Sequence, residues 1–306
     1  NNHLGVPISL SNLSLDDKFG VFEVAMSRAG EIRNLSRLIK PHIGIITNIG
    51  EAHIENFRSV HEIAKAKSEI IESIVEGGTI ILNRDDKFFN YLSNKAKSYK
   101  LNTLTFGYHK KSDVRINKII KKGKYSKIFI NINNKIIDLE IRDLNIYNVL
   151  ASIAVLKVLK IDIKKIKAKL KNFESPEGRG KKYSIIRYKK KFNLIDESYN
   201  ANPLSVKNAI NKLNLIKKEK FKKYLILGDM LELGSKSNKY HEQLSKVINN
   251  SDIDKVFIKG KKTIFTYKQL NKDKRGNILQ DNEDIDISLR ETISNNDHIM
   301  IKGSNA

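Results

Sequence analysis

Apolar runs too short to be helices alternate with longer segments of helical spacing, and this rhythm constrains the fold of the 306-residue chain more than any other feature. Residues 19–26, 42–49 and 79–82 are the apolar runs. Residues 30–39, 60–75 and 85–97 instead carry apolar side chains at helical intervals, as Ile32, Leu35, Leu38 and Ile39 do in the first of them. Strand followed by helix, repeated, predicts parallel βαβ units with helices on both faces of a sheet. Strands covered on both sides read as near-continuous apolar runs, as these do. From Asp113 to Arg142 short alternating stretches at 127–132 and 135–141 predict a β-rich edge, and two helices are expected at 145–160 and 163–171.

The turn-rich stretch Phe173-Glu174-Ser175-Pro176-Glu177-Gly178-Arg179-Gly180 marks a boundary. Beyond it the rhythm restarts, with strands at 192–196, 223–227, 255–258 and 297–301 and helices at 203–215, 239–248 and near 282–292. Two α/β domains are expected, residues 1–175 and 176–306, in keeping with about 150 residues per domain.

Charge narrows the function less than its size implies. The formal net charge is +23, which raises nucleic-acid binding as an alternative. Lysine supplies the excess, scattered among Ile and Asn, whereas base recognition favours arginine interleaved with aromatics. The densest runs, Lys121-Lys122-Gly123-Lys124-Tyr125 and Lys217-Lys218-Glu219-Lys220, sit between expected elements and read as solvated turns. No stretch approaches the roughly 18 apolar residues of a membrane span, and the start lacks the layout of a secretory leader. With no cysteine, disulfides and thiolate zinc sites are excluded, and a cytoplasmic, monomeric protein is expected.

Several polar residues fall where an α/β sheet places chemistry. Glu23 interrupts an apolar run; it either pairs with Arg28 or faces a ligand at the carboxyl end of a parallel strand. His53 follows the next run through a loop, as a structural residue or a metal ligand. Ile63, Lys67, Ile70 and Ile74 form one stripe of the 60–75 helix, which puts Lys67 on the core side and leaves Lys65 with His61, Glu62, Ser68 and Glu69 on the polar side. Lys67 then either snorkels or loses its proton through burial. Asn145 and Asn148 open a helix, Asn145 as its cap. Asp196 ends a strand, and Asn202 with Pro203 starts a helix in the loop that follows, a place suited to phosphate or ribose.

Five ordered segments together resemble the Mur ligases. They are Phe22-Glu23-Val24-Ala25-Met26-Ser27-Arg28-Ala29-Gly30-Glu31-Ile32, Ile46-Thr47-Asn48-Ile49-Gly50-Glu51-Ala52-His53-Ile54-Glu55, Ile63-Ala64-Lys65-Ala66-Lys67-Ser68-Glu69-Ile70, Asp196-Glu197-Ser198-Tyr199-Asn200-Ala201-Asn202-Pro203 and Leu227-Gly228-Asp229-Met230-Leu231-Glu232-Leu233-Gly234. The last two point to the branch that joins D-alanyl-D-alanine to UDP-N-acetylmuramoyl-tripeptide with ATP through an acyl phosphate. The resemblance implies a P-loop-type mononucleotide-binding α/β domain followed by a Rossmann-like domain. It implies that Glu23 and His53 hold Mg²⁺, with Lys67 carbamylated near a second Mg²⁺. Asn145 and Asn148 match a motif near adenine, although Leu144 stands where the family has histidine. Arg179 and Asp196 match positions near phosphates and ribose, with Tyr199, Asn200 and Asn202 lining the nucleotide side. A P-loop of the form G-x-x-G-K-S/T is absent from the chain; it is expected ahead of Asn1, together with the family's first strand and UDP-binding domain, and a last helix beyond Ala306. The chain alone is therefore expected not to catalyse the reaction. The alternatives are another amide ligase of this superfamily, such as a folate polyglutamate ligase, a non-catalytic binding module, and the basic nucleic-acid-binding protein.

Overall fold

Contacts divide the chain after Glu174: the first unit holds Asn1–Gly50 and Asn56–Glu174, the second Glu51–Glu55 and Ser175–Ala306. The computed structural model describes residues 1–122, 125–142, 144–217 and 219–304. Gly123 and Lys124 of one lysine run, Lys218 of the other, and Asn305 and Ala306 lie outside the described residues.

In the first unit the chain runs through α1 (Gly5–Ser11), α2 (Glu31–Ile39), β1 (Ile43–Ile46), α3 (Val60–Lys67), β2 (Thr79–Asn83), α4 (Phe89–Ser98), β3 (Asn102–Gly107), β4 (Val114–Lys122), β5 (Tyr125–Ile132), β6 (Lys135–Ile141), α5 (Ile146–Val158) and α6 (Lys167–Asn172). The sheet follows that strand order, parallel from β1 to β4 and antiparallel from β4 to β6. Ile80, Ile81 and Leu82 of β2 are fully buried because both faces are covered. Val149, Leu150, Ile153 and Ala154 of α5 share a core with Ile81, Phe106, Val114, Ile128 and Ile130. Burial of each large side chain there contributes about 1.5–3 kcal/mol.

Three expectations change here. Residues 19–26 form no strand: Val21 is 95% exposed, and without a ladder partner apolar character alone does not make one. Strand β3, in Asn102–Gly107, went unread because its Thr and Asn interrupt the apolar run. The helix expected over 60–75 is α-helical only to Lys67 and continues as a 3₁₀ helix, Ser68–Ser73. Three residues per turn move the buried face. Ser68, Glu69 and Ile71 turn inward, and Ile70 does not.

Glu69 thus leaves the polar side on which Lys65 stays. Its carboxylate accepts from Gly30 N–H at 2.8 and 3.0 Å and from Arg33 N–H at 3.1 Å, so it caps α2 from across the unit, where a negative charge meets the helix dipole. At the other side of that turn, Glu31 accepts from Ser27 N–H at 2.6 Å and Arg28 N–H at 3.1 Å.

The second unit contains β7 (Lys181–Arg187), β8 (Lys190–Glu197), α7 (Pro203–Asn214), β9 (Lys223–Gly228), α8 (Ser237–Asn249), β10 (Lys255–Lys259), α9 (Thr263–Lys268), β11 (Arg275–Ile278), α10 (Asn282–Thr292) and β12 (His298–Lys302). Its strand order is β11-β10-β9-β12-β8-β7, parallel except for β7 against β8. Strand β12 thus inserts between β8 and β9, parallel to both, and it is the sequential order of the strands that breaks there. Such a switch point opens a crevice at the carboxyl ends of the strands. Phe192, Tyr224, Phe257, Ile293 and Ile299 form the core on one face. Lys223, Lys274 and Lys302 are at most 8% exposed.

Candidate functional site

At the carboxyl ends of β8, β12 and β9 the sequence-predicted residues of the second unit come together. Asp196 Oδ2 accepts from Gly178 N–H at 2.8 Å, and Oδ1 accepts from the Ser198 hydroxyl at 2.6 Å and its N–H at 3.1 Å. Burial pushes this carboxyl up, but the three hydrogen bonds outweigh it and hold the pKa below the ordinary aspartate value, with help from Lys181. Gly178 has φ +69°, a conformation that favours glycine. The guanidinium of Arg179 stacks 4.0 Å from the Tyr199 ring centroid, with both side chains exposed.

Asn202 caps α7 as its sequence predicts. Its side chain accepts from Ser205 N–H at 2.8 Å, Ser205 Oγ donates back to its carbonyl, and Pro203 takes the first helical position. The loop between Asp196 and this helix carries Tyr199 and Asn200 at the surface. Lys212 binds Glu197 Oε1 at 3.0 Å beside it. The result is a cation-rich loop cluster leading to a helix N-terminus, an arrangement that receives anions.

In the first unit, Lys67 ends α3 and is half-buried. Burial pushes its ammonium pKa down, opposed by the Asp86 carboxylate. Asp86 is itself fixed by Ile49 N–H at 2.7 Å and Phe88 N–H at 2.8 Å. Neighbouring Asp85 accepts from Tyr108 N–H, His109 N–H and the Tyr147 hydroxyl at 2.6, 2.9 and 3.1 Å. Asn145 caps α5 through Tyr147 N–H at 2.9 Å and Asn148 N–H at 3.4 Å, while the Asn148 side chain is exposed. Asp85 and Asp86 escaped sequence reading, although two acids just past the buried run of β2 carry the same signal that singled out Glu23.

Glu23 is exposed, and Arg28 is not its ion-pair partner. His53 sits with the second unit in a left-handed conformation, φ 55°. Its Nδ1 lies 2.5 Å from Glu232 Oε2 without the alignment of a hydrogen bond. Among the described residues, no three His, Asp or Glu side chains converge to hold a metal ion. An unmodified Lys67 adds a cation rather than a ligand, so the three residues as they stand do not fit Mg²⁺.

The family profile of the Mur ligase middle domain matches residues 1–156, and that of the Mur ligase glutamate ligase domain matches residues 183–305. The chain belongs to the Mur ligase family. Among its relatives, the UDP-N-acetylmuramoyl-tripeptide–D-alanyl-D-alanine ligase of Rickettsia prowazekii is 30% identical over 99% of this chain and 67% of that protein. The enzyme of the same name from Buchnera aphidicola (Acyrthosiphon pisum) is 34% identical over 84% of this chain and 56% of its own length. The chain thus spans between about half and two thirds of these curated relatives. MurF from Acinetobacter baumannii superposes with a TM-score of 0.88 at 24% identity, covering 99% of this chain and 66% of that one. MurF from Thermotoga maritima, in complex with ADP, gives 0.86 at 24% identity over 99% and 68%. Among the described residues, no helix is long and apolar enough to cross a membrane.

Proposed function

We propose that this chain is the nucleotide-handling part of an ATP-dependent amide ligase of peptidoglycan precursor synthesis, one that joins D-alanyl-D-alanine to UDP-N-acetylmuramoyl-tripeptide. The observation that carries this reading is the 30% identity to the Rickettsia ligase over 99% of the chain. An oxygen of the tripeptide's terminal carboxylate attacks the γ-phosphorus of ATP and ADP leaves. The amine of D-alanyl-D-alanine then attacks the acyl phosphate carbonyl, phosphate leaves, and the nitrogen loses its proton.

The second unit supplies the ribose and phosphate contacts. Asp196 uses three of about four lone-pair sites on Ser198 and Gly178, which leaves one for a ribose hydroxyl. Arg179 and the start of α7 face phosphate, and Tyr199, Asn200 and Asn202 line the same side. Asn145 and Asn148 approach the adenine. The lowered pKa of Lys67 enlarges the neutral amine fraction, the form that adds CO₂ to become a carbamate. Such a carbamate would turn Lys67 from a cation into a carboxylate donor of the kind Mg²⁺ takes. With that donor set incomplete, no step is assigned to a cation.

The test is an acceptor panel read by ADP release with the full gene product and ATP. Turnover is expected with UDP-N-acetylmuramoyl-tripeptide and D-alanyl-D-alanine. Turnover only with a folate or a single amino acid would overturn the assignment.

A further inference from the structure

Lys302 ends β12 at the switch point, with only 4% of its surface exposed. Its Nζ donates to Asn200 O at 2.6 Å and to Glu197 O at 3.1 Å. Both carbonyls belong to the loop that leaves β8. A buried ammonium costs several kcal/mol unless it is paired. Glu197 attracts it through space, but the carboxylate oxygen of that residue is held by Lys212 at 3.0 Å. The charge of Lys302 therefore goes into two backbone acceptors.

Ser304 extends the same clasp. Its Oγ lies 3.3 Å from both Asn200 Oδ1 and Ala201 O and accepts from Leu231 N–H at 3.1 Å, while its own N–H donates to Asp229 O at 2.9 Å. Between the two residues, Gly303 lets β12 close on β9: a Cβ there would lie 2.9 Å from Gly228 Cα. The loop's internal hydrogen bonds are short-range, from Ser198 to Asp196 and from Ala201 N–H to Asn200 Oδ1. Contacts of that range fix turns and leave the path of the loop to its outside partners.

We propose that Lys302 is a positioning residue that, with Ser304, holds residues 197–202 in the conformation that presents Tyr199 and Asn200 to the nucleotide. This inference rests on the nucleotide reading of the second unit. Amide hydrogen exchange by mass spectrometry on the purified full gene product, paired with titration by ADP, tests it. K302M is expected to speed exchange in residues 197–202 at least tenfold while β10 and α10 keep parental rates, and to weaken ADP binding about tenfold. K302R, which keeps donors at the same place, is expected to recover part of both. Parental exchange at 197–202 in K302M, or a uniform rise throughout the unit, overturns the proposal. If the parent itself does not bind ADP, the nucleotide reading fails and the exchange comparison alone decides whether Lys302 shapes the loop. Should K302M not fold, K302Q, with an amide donor on a shorter arm, supplies the same comparison.

Discussion

Replacing Glu72 by Gln should weaken the first unit in a way that depends on pH. Glu72 lies in the 3₁₀ turn after α3 and binds Arg33 of α2 through Nε at 2.6 Å and a terminal nitrogen at 3.3 Å, and Lys95 of α4 at 2.7 Å. The hydrogen bond from Arg33 is the main cause that holds its carboxyl at about 2, against an ordinary 4.5; burial opposes it and Lys95 assists. At 1.36 kcal/mol per pH unit that difference corresponds to about 3.4 kcal/mol. Arg33 is 38% exposed, so solvent screening roughly halves the figure, to about 1.5–2 kcal/mol. The folded pKa is depressed, so the stabilisation is fully present above 4.5 and is lost as pH falls toward 2. Urea unfolding of parent and E72Q from pH 7 to pH 3 should show a gap of that size at neutral pH, reduced to less than half by pH 3. A gap that stays constant across this range would refute the argument, because the lost interaction would then owe nothing to charge.

Asn202→Ala removes the side-chain half of a capping box, leaving the bond from the residue 202 N–H to Ser205 Oγ, and should cost about 1 kcal/mol in urea unfolding. Gly180→Ala places a Cβ 2.4 Å from Lys212 Nζ at φ +94°, whereas at Gly77, φ +73°, nothing lies within 4 Å. Gly180→Ala should therefore destabilise by about 1–3 kcal/mol more than Gly77→Ala, and equal melting temperatures would show that Lys212 moves aside freely. In bicarbonate-free buffer, Lys67→Met should be more stable than the parent at pH 7. Burial lowers the folded pKa of Lys67, so the cost of its charge is relieved as pH rises toward 10.5 and the two stabilities should converge; a gap independent of pH would mean that Lys67 is not desolvated.

Features carried by neighbouring residues were legible in the sequence. Asn202-Pro203 announced a helix start because a cap and a fixed φ act within one turn, and the aliphatic runs of β2 and β9 announced buried strands. The partners of Glu69 and Lys302 were not legible. Glu69 meets Gly30 across 39 residues and Lys302 meets Asn200 across 102, and nothing in either local pattern encodes such a pairing. Periodicity misled at residues 68–73, where the turn tightens and a polar face becomes an interior one. It misled again at residues 19–26, where composition satisfied a strand and the ladder was missing.

The position of β12 also sets an order of assembly. During synthesis β8 leaves the ribosome roughly a hundred residues before the strand that must lie beside it, an interval of about 5–20 s at ordinary elongation rates. Until then β8 and β9 share no ladder, and each keeps an open edge toward the gap that β12 will fill. The nascent second unit is therefore exposed to mispairing while its central strand is awaited, and the loop that β12 clasps can take its final shape only after that strand arrives.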